Sequence, residues 1–512
     1  MSGGGPAGAH TLGRWVTDRA RADGAAIAVD DRGVRISYAE LERRSAGLAE
    51  RLLAAGLRPG DRIATLTGNS ADHVVLFFAC ARTGLVLVPL SWRLTPVELA
   101  EQLADAEPAL LCLEEEFEVP ARAALALLPN RIPTSPLTLA GLEPGVAGPP
   151  PRTVSDDDSL LMIYTSGTSQ RSRGALLSHA NCFWTSLSLS RTLEISRHDT
   201  VLSVLPQFHV GGWTIQALLA WWTGATVVLE RTFDAGRVLR LIAEKRITTM
   251  MGVPANYLLL AQHPDFGRAD LSSLRYAVVG GAPMPEPLLR TWLGRGVQLA
   301  QGYGLTEAAP NVLCLRPEDA RDHLGYAGTP YPHVEVAVAD PATGAHLAGP
   351  AAGELLVRGP NVFRGYWRDP VATAFALRDG WLHTGDLVER DADGYFRVLD
   401  RLDDVFISGG ENVSPAEVES ALFEHRAVAD VAVVGRPDPR WGEVGVAFVV
   451  MRPDCHTDAE DLLEHCRSRL AGYKIPARVE FVEELPRSSV GKILRRDLRA
   501  DADVPRGRVV AP

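Results

Sequence analysis

The sequence predicts an α/β protein, with a large N-terminal domain of two doubly wound subdomains plus a small β region, followed by a small α+β C-terminal domain. Three observations carry this. Strand-like apolar runs alternate with helix-like segments from Asp61 onward, a Pro- and Gly-rich stretch interrupts them at 129–151, and beyond Gly353 the segments become short and turn-separated. Alternating β and α units imply a mainly parallel sheet covered on both faces.

The first subdomain opens on a strand at 62–66, an apolar helix at 74–82 and a strand at 85–90. Thr95, Pro96 and Glu98 mark the next helix start: a capping hydroxyl, a proline at the first helical position and a glutamate three residues after the cap. A strand at 109–113 follows. Gly148, Pro149, Pro150 and Pro151 cannot sit inside a strand or helix, so 129–151 reads as an exposed connection between the two subdomains. After it come a strand at 160–163, a loop, a helix at 175–183, and strands at 201–204, 227–229, 248–251, 276–279 and 298–300. The uncharged stretch 210–229 has about the length of a bilayer span, but Gly211 and Gly212 open it, Gln216 sits inside it and Gly224 precedes Thr226, Val227 and Val228. Helix followed by buried strand is the better description, and no transmembrane segment is expected.

From Gly353, strands at 354–357 and 395–399 with a turn at 391–394 predict a small antiparallel β region. Beyond Arg401 the tail has helices starting at capping boxes, Ser414 with Glu417 and Thr457 with Glu460, and strands at 431–434, 444–450 and 479–482. The boundary falls at about Leu402, giving domains 1–402 and 403–512.

Composition narrows the function. A chain of 512 residues, 46% hydrophobic, can bury several cores. Its formal net charge of -11, with no long Lys/Arg run, argues against a nucleic-acid partner. The six cysteines are scattered, with no C-x-x-C pair and no zinc-like spacing, as expected of free thiols in a reducing compartment. The first residues lack the basic and apolar regions of a secretion signal, so a cytoplasmic protein is expected.

The stretch YTSGTSQRSRG at 164–174 combines hydroxyls, glycines and the cations Arg171 and Arg173, a composition that can wrap phosphate oxygens; in isolation it reads first as an ordinary flexible Ser/Gly loop. It lacks Walker A spacing, and Gly491-Lys492 fails that test too, with Pro486 in place of the first glycine and Ile493 after the lysine. No G-x-S-x-G serine elbow is present: Arg487 stands where Ser489 would need a glycine. Further segments are LPQFHVGG at 205–212, GGAP at 280–283, QGYGLTE at 301–307, TGD at 384–386, DRLDD at 400–404, SGGENVSP at 408–415 and PRSSVGK at 486–492. Each is weak alone, since Thr306-Glu307 could merely start a helix and 384–386 could be a turn. In this order, from about Asp61 to Leu498, the set resembles the acyl-adenylate-forming superfamily of acyl-CoA ligases, adenylation domains and beetle luciferases. Within it, Trp441, Gly442, Glu443, Tyr473, Lys474 and 408–415 resemble the acyl-CoA synthetase, or fatty-acid–CoA ligase, branch.

The resemblance implies ATP-dependent activation of a small carboxylic acid to an acyl-AMP, then transfer to coenzyme A, with ATP, Mg2+ and coenzyme A as cofactors. Carboxylate and triphosphate are both anions, and one opposite charge at ~4 Å is worth roughly 4 kcal/mol at an effective dielectric of about 20, so cations decide the outcome. By resemblance, Lys492 is the catalytic lysine, Glu307 the Mg2+ ligand and Thr306 the α-phosphate contact. Thr165, Ser166, Gly167, Thr168 and Arg173 form the phosphate loop. Gly280, Gly281, Ala282 and Pro283, with Gln301, Gly302, Tyr303 and Gly304, hold the nucleotide. Asp386 takes the ribose hydroxyls, with Arg401 as a second contact. His209 borders the acyl tunnel, which Trp213, Val253, Tyr303 and Gly304 also line; such apolar walls suit a fatty or aromatic acid. Asp403 is the hinge of a mobile C-terminal domain, and Gly409 and Gly410 leave room for pantetheine. The phosphate loop departs from the family pattern at Gln170, Ser172 and Arg173, which leaves open an amide synthetase or carrier-protein-loading ligase. A homodimer is the expected assembly. Neither a luciferase-type oxidation nor a silent binding protein has a residue in its favour.

Overall fold

The computed structural model describes residues 10–138, 154–165, 172–282, 284–408, 411–453, 455–487 and 493–500. It is α/β and divides into two compact units. The larger comprises Met1–Met284, Leu288–Val336 and Leu356–His383; the smaller comprises Pro285–Pro287, Ala337–Leu355 and Thr384–Pro512.

Two sheets build the larger unit. In the seven-stranded one, Arg62–Leu66 lies parallel to Val86–Leu90 and to Leu110–Leu113. The helices Ala71–Thr83 and Pro96–Ala106 make the crossovers. The second starts where the sequence predicts: Thr95 accepts from the Glu98 N–H, the Glu98 side chain reaches back, and Pro96 is the first helical residue. Leu66, Val88, Leu103, Leu111 and Met162 fill the core of this layer.

The nine-stranded sheet is parallel through Thr200–Ser203, Thr226–Leu229, Thr249–Gly252, Tyr276–Gly280 and Gln298–Gly304. Ile27–Asp31 also joins it, in register with Thr226–Leu229 through Val29 and Val227. The N-terminal segment is thus part of the second subdomain's sheet, a long-range pairing that local pattern does not signal. Leu202, Ile242, Met250, Tyr257, Trp292 and Leu299 are buried beneath it. The stretch 210–229 splits into the short helices Gly211–Thr214 and Ala217–Thr223 and the strand Thr226–Leu229. Gly224, at φ 95°, ends the second helix. Among the described residues no helix is long and apolar enough to cross a membrane.

Three sequence expectations need correction. Residues 175–183 are not one helix: Arg173–Ser178 is a strand antiparallel to Ser159–Thr165, and the helix is His179–Ser190. Ser178 and Asn181 close a reciprocal capping box there, which fixes the start. Ala175 and Leu177 favour helix intrinsically but are fully buried in the sheet, and packing overrides propensity. In the tail, the cap is Asp458, accepting from the Asp461 N–H, one residue beyond Thr457. Within the Pro- and Gly-rich connection, Thr134–Pro136 forms an edge strand beside Leu110–Leu113, where a proline without an N–H is tolerated; 139–153 lie outside the described residues.

The strand Trp381–Arg390 enters the smaller unit at Thr384 and pairs there antiparallel with Phe396–Arg401, and the turn between them closes on Gly394 at φ 86°. A second sheet carries Val428–Asp438, Gly442–Met451 and Arg478–Phe481, packed through Val433, Val449 and Leu462 against the helices Pro415–Phe423 and Ala459–Arg467. Cys80, Cys112, Cys182, Cys314 and Cys466 are buried free thiols, and burial pushes Cys112 and Cys182 up to about 12.

Candidate functional site

Strand Gln298–Gly304 delivers the QGYGLTE residues to the carboxyl end of the parallel sheet, where α/β proteins place their ligands. Gly304 is compulsory there, because a Cβ would lie 1.7 Å from the Pro310 carbonyl oxygen. A short 3-10 turn, Thr306–Ala308, follows. Asn361 holds it by donating to the Ala308 and Asn311 carbonyls at 2.9 and 3.0 Å, and the Phe363 N–H donates to the Glu307 carbonyl at 2.8 Å.

The Glu307 side chain, 8% exposed, accepts a hydrogen bond from the Tyr366 hydroxyl at 2.7 Å. Tyr366 belongs to the strand Gly365–Tyr366, which pairs with Arg173–Ser178 through Tyr366 and Ala175. The same ring lies 5.7 Å below the Arg173 guanidinium, and Arg173 Nε is 3.2 Å from Asp369 Oδ2. Thr165 faces Arg173 across the hairpin, and Ser172 accepts from Gln102 at 3.2 Å. Glu307, Tyr366 and Arg173 therefore form one connected group. The sequence singled out Glu307 and Arg173 but missed Tyr366 and Asp369, which lie between the motifs at 301–307 and 384–386 and belong to neither; only the strand pairing brings them in.

A second group surrounds Gly280. Strand Tyr276–Gly280 runs beside Gln298–Gly304 with Gly280 opposite Gly302, so close that a Cβ on Gly280 would sit 2.7 Å from the Gly302 carbonyl oxygen. Gly281 follows at φ 83°, with Val253 Cγ1 3.4 Å from where a Cβ would sit. Gln301 is 7% exposed, and its Nε2 has no partner among the described residues. Tyr303 pairs with Leu313 in the same sheet.

His209 is half-buried in the turn after strand Thr200–Ser203, its ring against Phe208 at 4.5 Å. Gly212 makes the turn possible: a Cβ would lie 2.4 Å from the Pro206 carbonyl oxygen. Trp213 is fully buried, stacked on Phe77 at 4.8 Å and donating from Nε1 to the Gln207 carbonyl at 2.6 Å.

In the smaller unit, Asp386 and Arg401 face each other across the ladder and join at 2.8 Å, with Arg401 also donating to the Thr384 carbonyl. The Asp403 carbonyl accepts from Arg499 at 3.5 Å. Asp400, 7% exposed, accepts from the Ser414 hydroxyl and the Ala416 N–H; burial nevertheless pushes its carboxyl above the usual range. Ser166, Gly167, Thr168, Gln170, Arg171, Pro283, Gly409, Gly410 and Lys492 lie outside the described residues.

The donor set around Glu307 fits Mg2+. Among the described residues there is no group of three or more His, Cys, Asp or Glu able to hold a metal by itself. A lone carboxylate, already steadied by the Tyr366 hydroxyl, suits an ion that keeps phosphate and water ligands.

Residues 16–367 match the model of the AMP-binding enzyme family, and 417–492 match that of the AMP-binding enzyme C-terminal domain. The chain belongs to the AMP-binding enzyme family. Among relatives, a feruloyl-CoA synthase from an Amycolatopsis species is 44% identical over 95% of this chain and 98% of that enzyme. The fatty acid–[acyl-carrier-protein] ligase ScoC of Streptomyces coeruleorubidus is 39% identical over 91% and 92%. Among solved structures, the o-succinylbenzoate coenzyme A synthetase of Bacillus subtilis, in complex with ATP and magnesium ion, superposes with a TM-score of 0.86 at 32% identity, covering 95% of this chain and 99% of that one.

Proposed function

We propose that this protein is an AMP-forming acid–thiol ligase: it activates a carboxylic acid with ATP and passes the acyl group to coenzyme A. The observation that carries this is the connected group of a buried carboxylate, Glu307, its hydrogen-bond donor Tyr366 and the cation Arg173. In the first half-reaction a carboxylate oxygen of the acid attacks the α-phosphorus, the acyl-phosphate bond forms and pyrophosphate leaves. Glu307 would hold Mg2+, which would supply charge neutralisation at the phosphates. Arg173 and the phosphate loop bind pyrophosphate oxygens, Thr306 orients the α-phosphate, Asp386 and Arg401 hold the ribose, and Lys492 places its ammonium between the two anions. In the second, the thiol loses its proton, sulfur attacks the acyl carbonyl and AMP leaves.

The bare backbone at Gly280 and Gly281 supports an adenine shelf, and the His209 turn supports an acid pocket beside it. The named relative that activates ferulate supports an aromatic acid. Domains 1–402 and 403–512, hinged at Asp403, with Gly409 and Gly410 on the pantetheine path, belong to the same proposal, as do a cytoplasmic location and a homodimer.

A second reading has one observation behind it: ScoC is named for loading an acyl carrier protein. Purified protein is offered an acid panel with ATP and Mg2+, and pyrophosphate release is followed; active acids are then offered with coenzyme A, a phosphopantetheinylated carrier and amines. Thioester on free coenzyme A is the expected result. Pyrophosphate release with product only on the carrier would replace the first reading by the second, and no release with any acid would refute both.

A further inference from the structure

Between the carboxyl ends of strands Thr200–Ser203 and Thr249–Gly252 lies a small cleft, bounded by Leu205, Gly211, Gly212, Gln216 and Met251. Met251 connects it to the nucleotide side, for its Cε lies 3.0 Å from where a Cβ on Gly280 would sit. The lining is mostly aliphatic side chains and glycine, with two polar residues, Ser203 and Gln216. Gln216 sits between the two short helices, is 4% exposed, and donates from Nε2 to the Thr249 hydroxyl oxygen at 2.8 Å. Its Oε1 is buried and has no hydrogen-bond partner among the described residues.

A buried amide oxygen without a donor is costly, and native proteins rarely keep one. The flanking residues offer none: Ala217, Leu218, Leu219 and Ala220 are buried and apolar. Thr249 fixes the amide, so its free oxygen has a set direction. A group that lines a ligand cleft, is held by a partner and retains an unused acceptor is what a specificity contact requires.

We propose that Gln216 determines acid specificity, its Oε1 accepting a hydrogen bond from an O–H or N–H at the end of the acid remote from the carboxylate. The substrate class is then an aromatic acid bearing a phenolic hydroxyl or a ring N–H. This rests on the acid-activating function proposed above and deepens it.

The test uses matched acids: 4-hydroxycinnamate against cinnamate, and indole-3-acetate against 1-naphthylacetate, each followed as kcat/KM for pyrophosphate release. The wild-type protein is expected to favour the donor-bearing member of at least one pair by about 10- to 100-fold, the usual discrimination of a buried hydrogen bond. Gln216→Leu should bring that ratio close to one, chiefly through a higher KM for the donor-bearing acid. If Gln216→Leu does not fold, Thr249→Val removes the bond that orients the amide and should lower the same ratio. Equal wild-type kcat/KM within both pairs, or a ratio unchanged by the substitution, would overturn the proposal, the amide oxygen then being served by a buried water. Absence of pyrophosphate release with every acid would instead remove the acid-activating function itself.

Discussion

A single hydroxyl separates Tyr366 from phenylalanine, and at the residue scale that hydroxyl tests the arrangement around Glu307. Tyr366→Phe keeps the ring beneath Arg173 and removes only the 2.7 Å bond to Glu307. With one charge-assisted hydrogen bond worth about 1.5–3 kcal/mol, the Mg2+ concentration for half-maximal Mg-ATP binding should rise roughly tenfold or more, measured by titration calorimetry without acid. An unchanged Mg2+ requirement would show that Tyr366 only fills space. His73 gives a pH prediction. It is fully buried, bonded to Thr65 at 3.0 Å and edge-on to Trp213, and burial depresses its pKa to about 4. The unfolded chain binds that proton below about 6.5, so the neutral native ring contributes stability above that pH that is lost as pH falls toward 4, on the order of 3 kcal/mol in all. The difference in Tm between wild type and His73→Leu should therefore narrow from pH 7 to pH 4; a constant difference would contradict it. Glu307 and Arg173 were legible because their motifs are contiguous in sequence. Tyr366 was not, because its role arises from a two-residue strand whose partner lies about 190 residues earlier.

Elements place these side chains, and the sequence was most legible where local chemistry sets an element's start. Thr95, Pro96 and Glu98 fix a helix by capping alone, so that start matches the expectation. Residues 175–177 failed for the opposite reason: an Ala-Leu-Leu run has no period of its own, and burial between strands decided it. That error also hid the hairpin that aligns Thr165 with Arg173. The strand Gln298–Gly304 offers the sharpest test at this scale. In Gly304→Ala the new methyl meets the Pro310 carbonyl carbon at 2.6 Å as well as its oxygen, both rigid backbone, so the strand must move away from Asn311–Leu315. Stability should fall by about 1–3 kcal/mol, seen as a lower Tm, and pyrophosphate release should fall much further because Thr306 and Glu307 follow at once in the chain. Loss of stability with full activity would show that the catalytic turn does not depend on this close approach.

At the scale of the whole molecule the chemistry splits into two half-reactions with different demands, and the chain's long-range organisation bears on only one side of each. The helix Arg495–Ala500 begins three residues after Lys492 and is tied into the smaller unit: Arg495 grips both oxygens of Glu419 at 2.8 Å, and Arg499 reaches Asp404 at 3.0 Å. Burial raises the Glu419 carboxyl above its usual range, and Arg495 opposes that shift by stabilising its charge. These anchors fix the helix that follows Lys492 in the chain. An ammonium that bridges carboxylate and α-phosphate matters only while both anions are present, which is before the adenylate exists. Lys492→Ala should therefore slow ATP-dependent pyrophosphate release by on the order of 10^2 or more, the typical cost of one lost electrostatic stabiliser. Given chemically prepared acyl-adenylate and coenzyme A, the same variant should form thioester at close to the wild-type rate, measured in single turnover. Equal losses in both assays would mean that the lysine serves the fold or the thiol step, and the division of labour between the half-reactions would have to be abandoned.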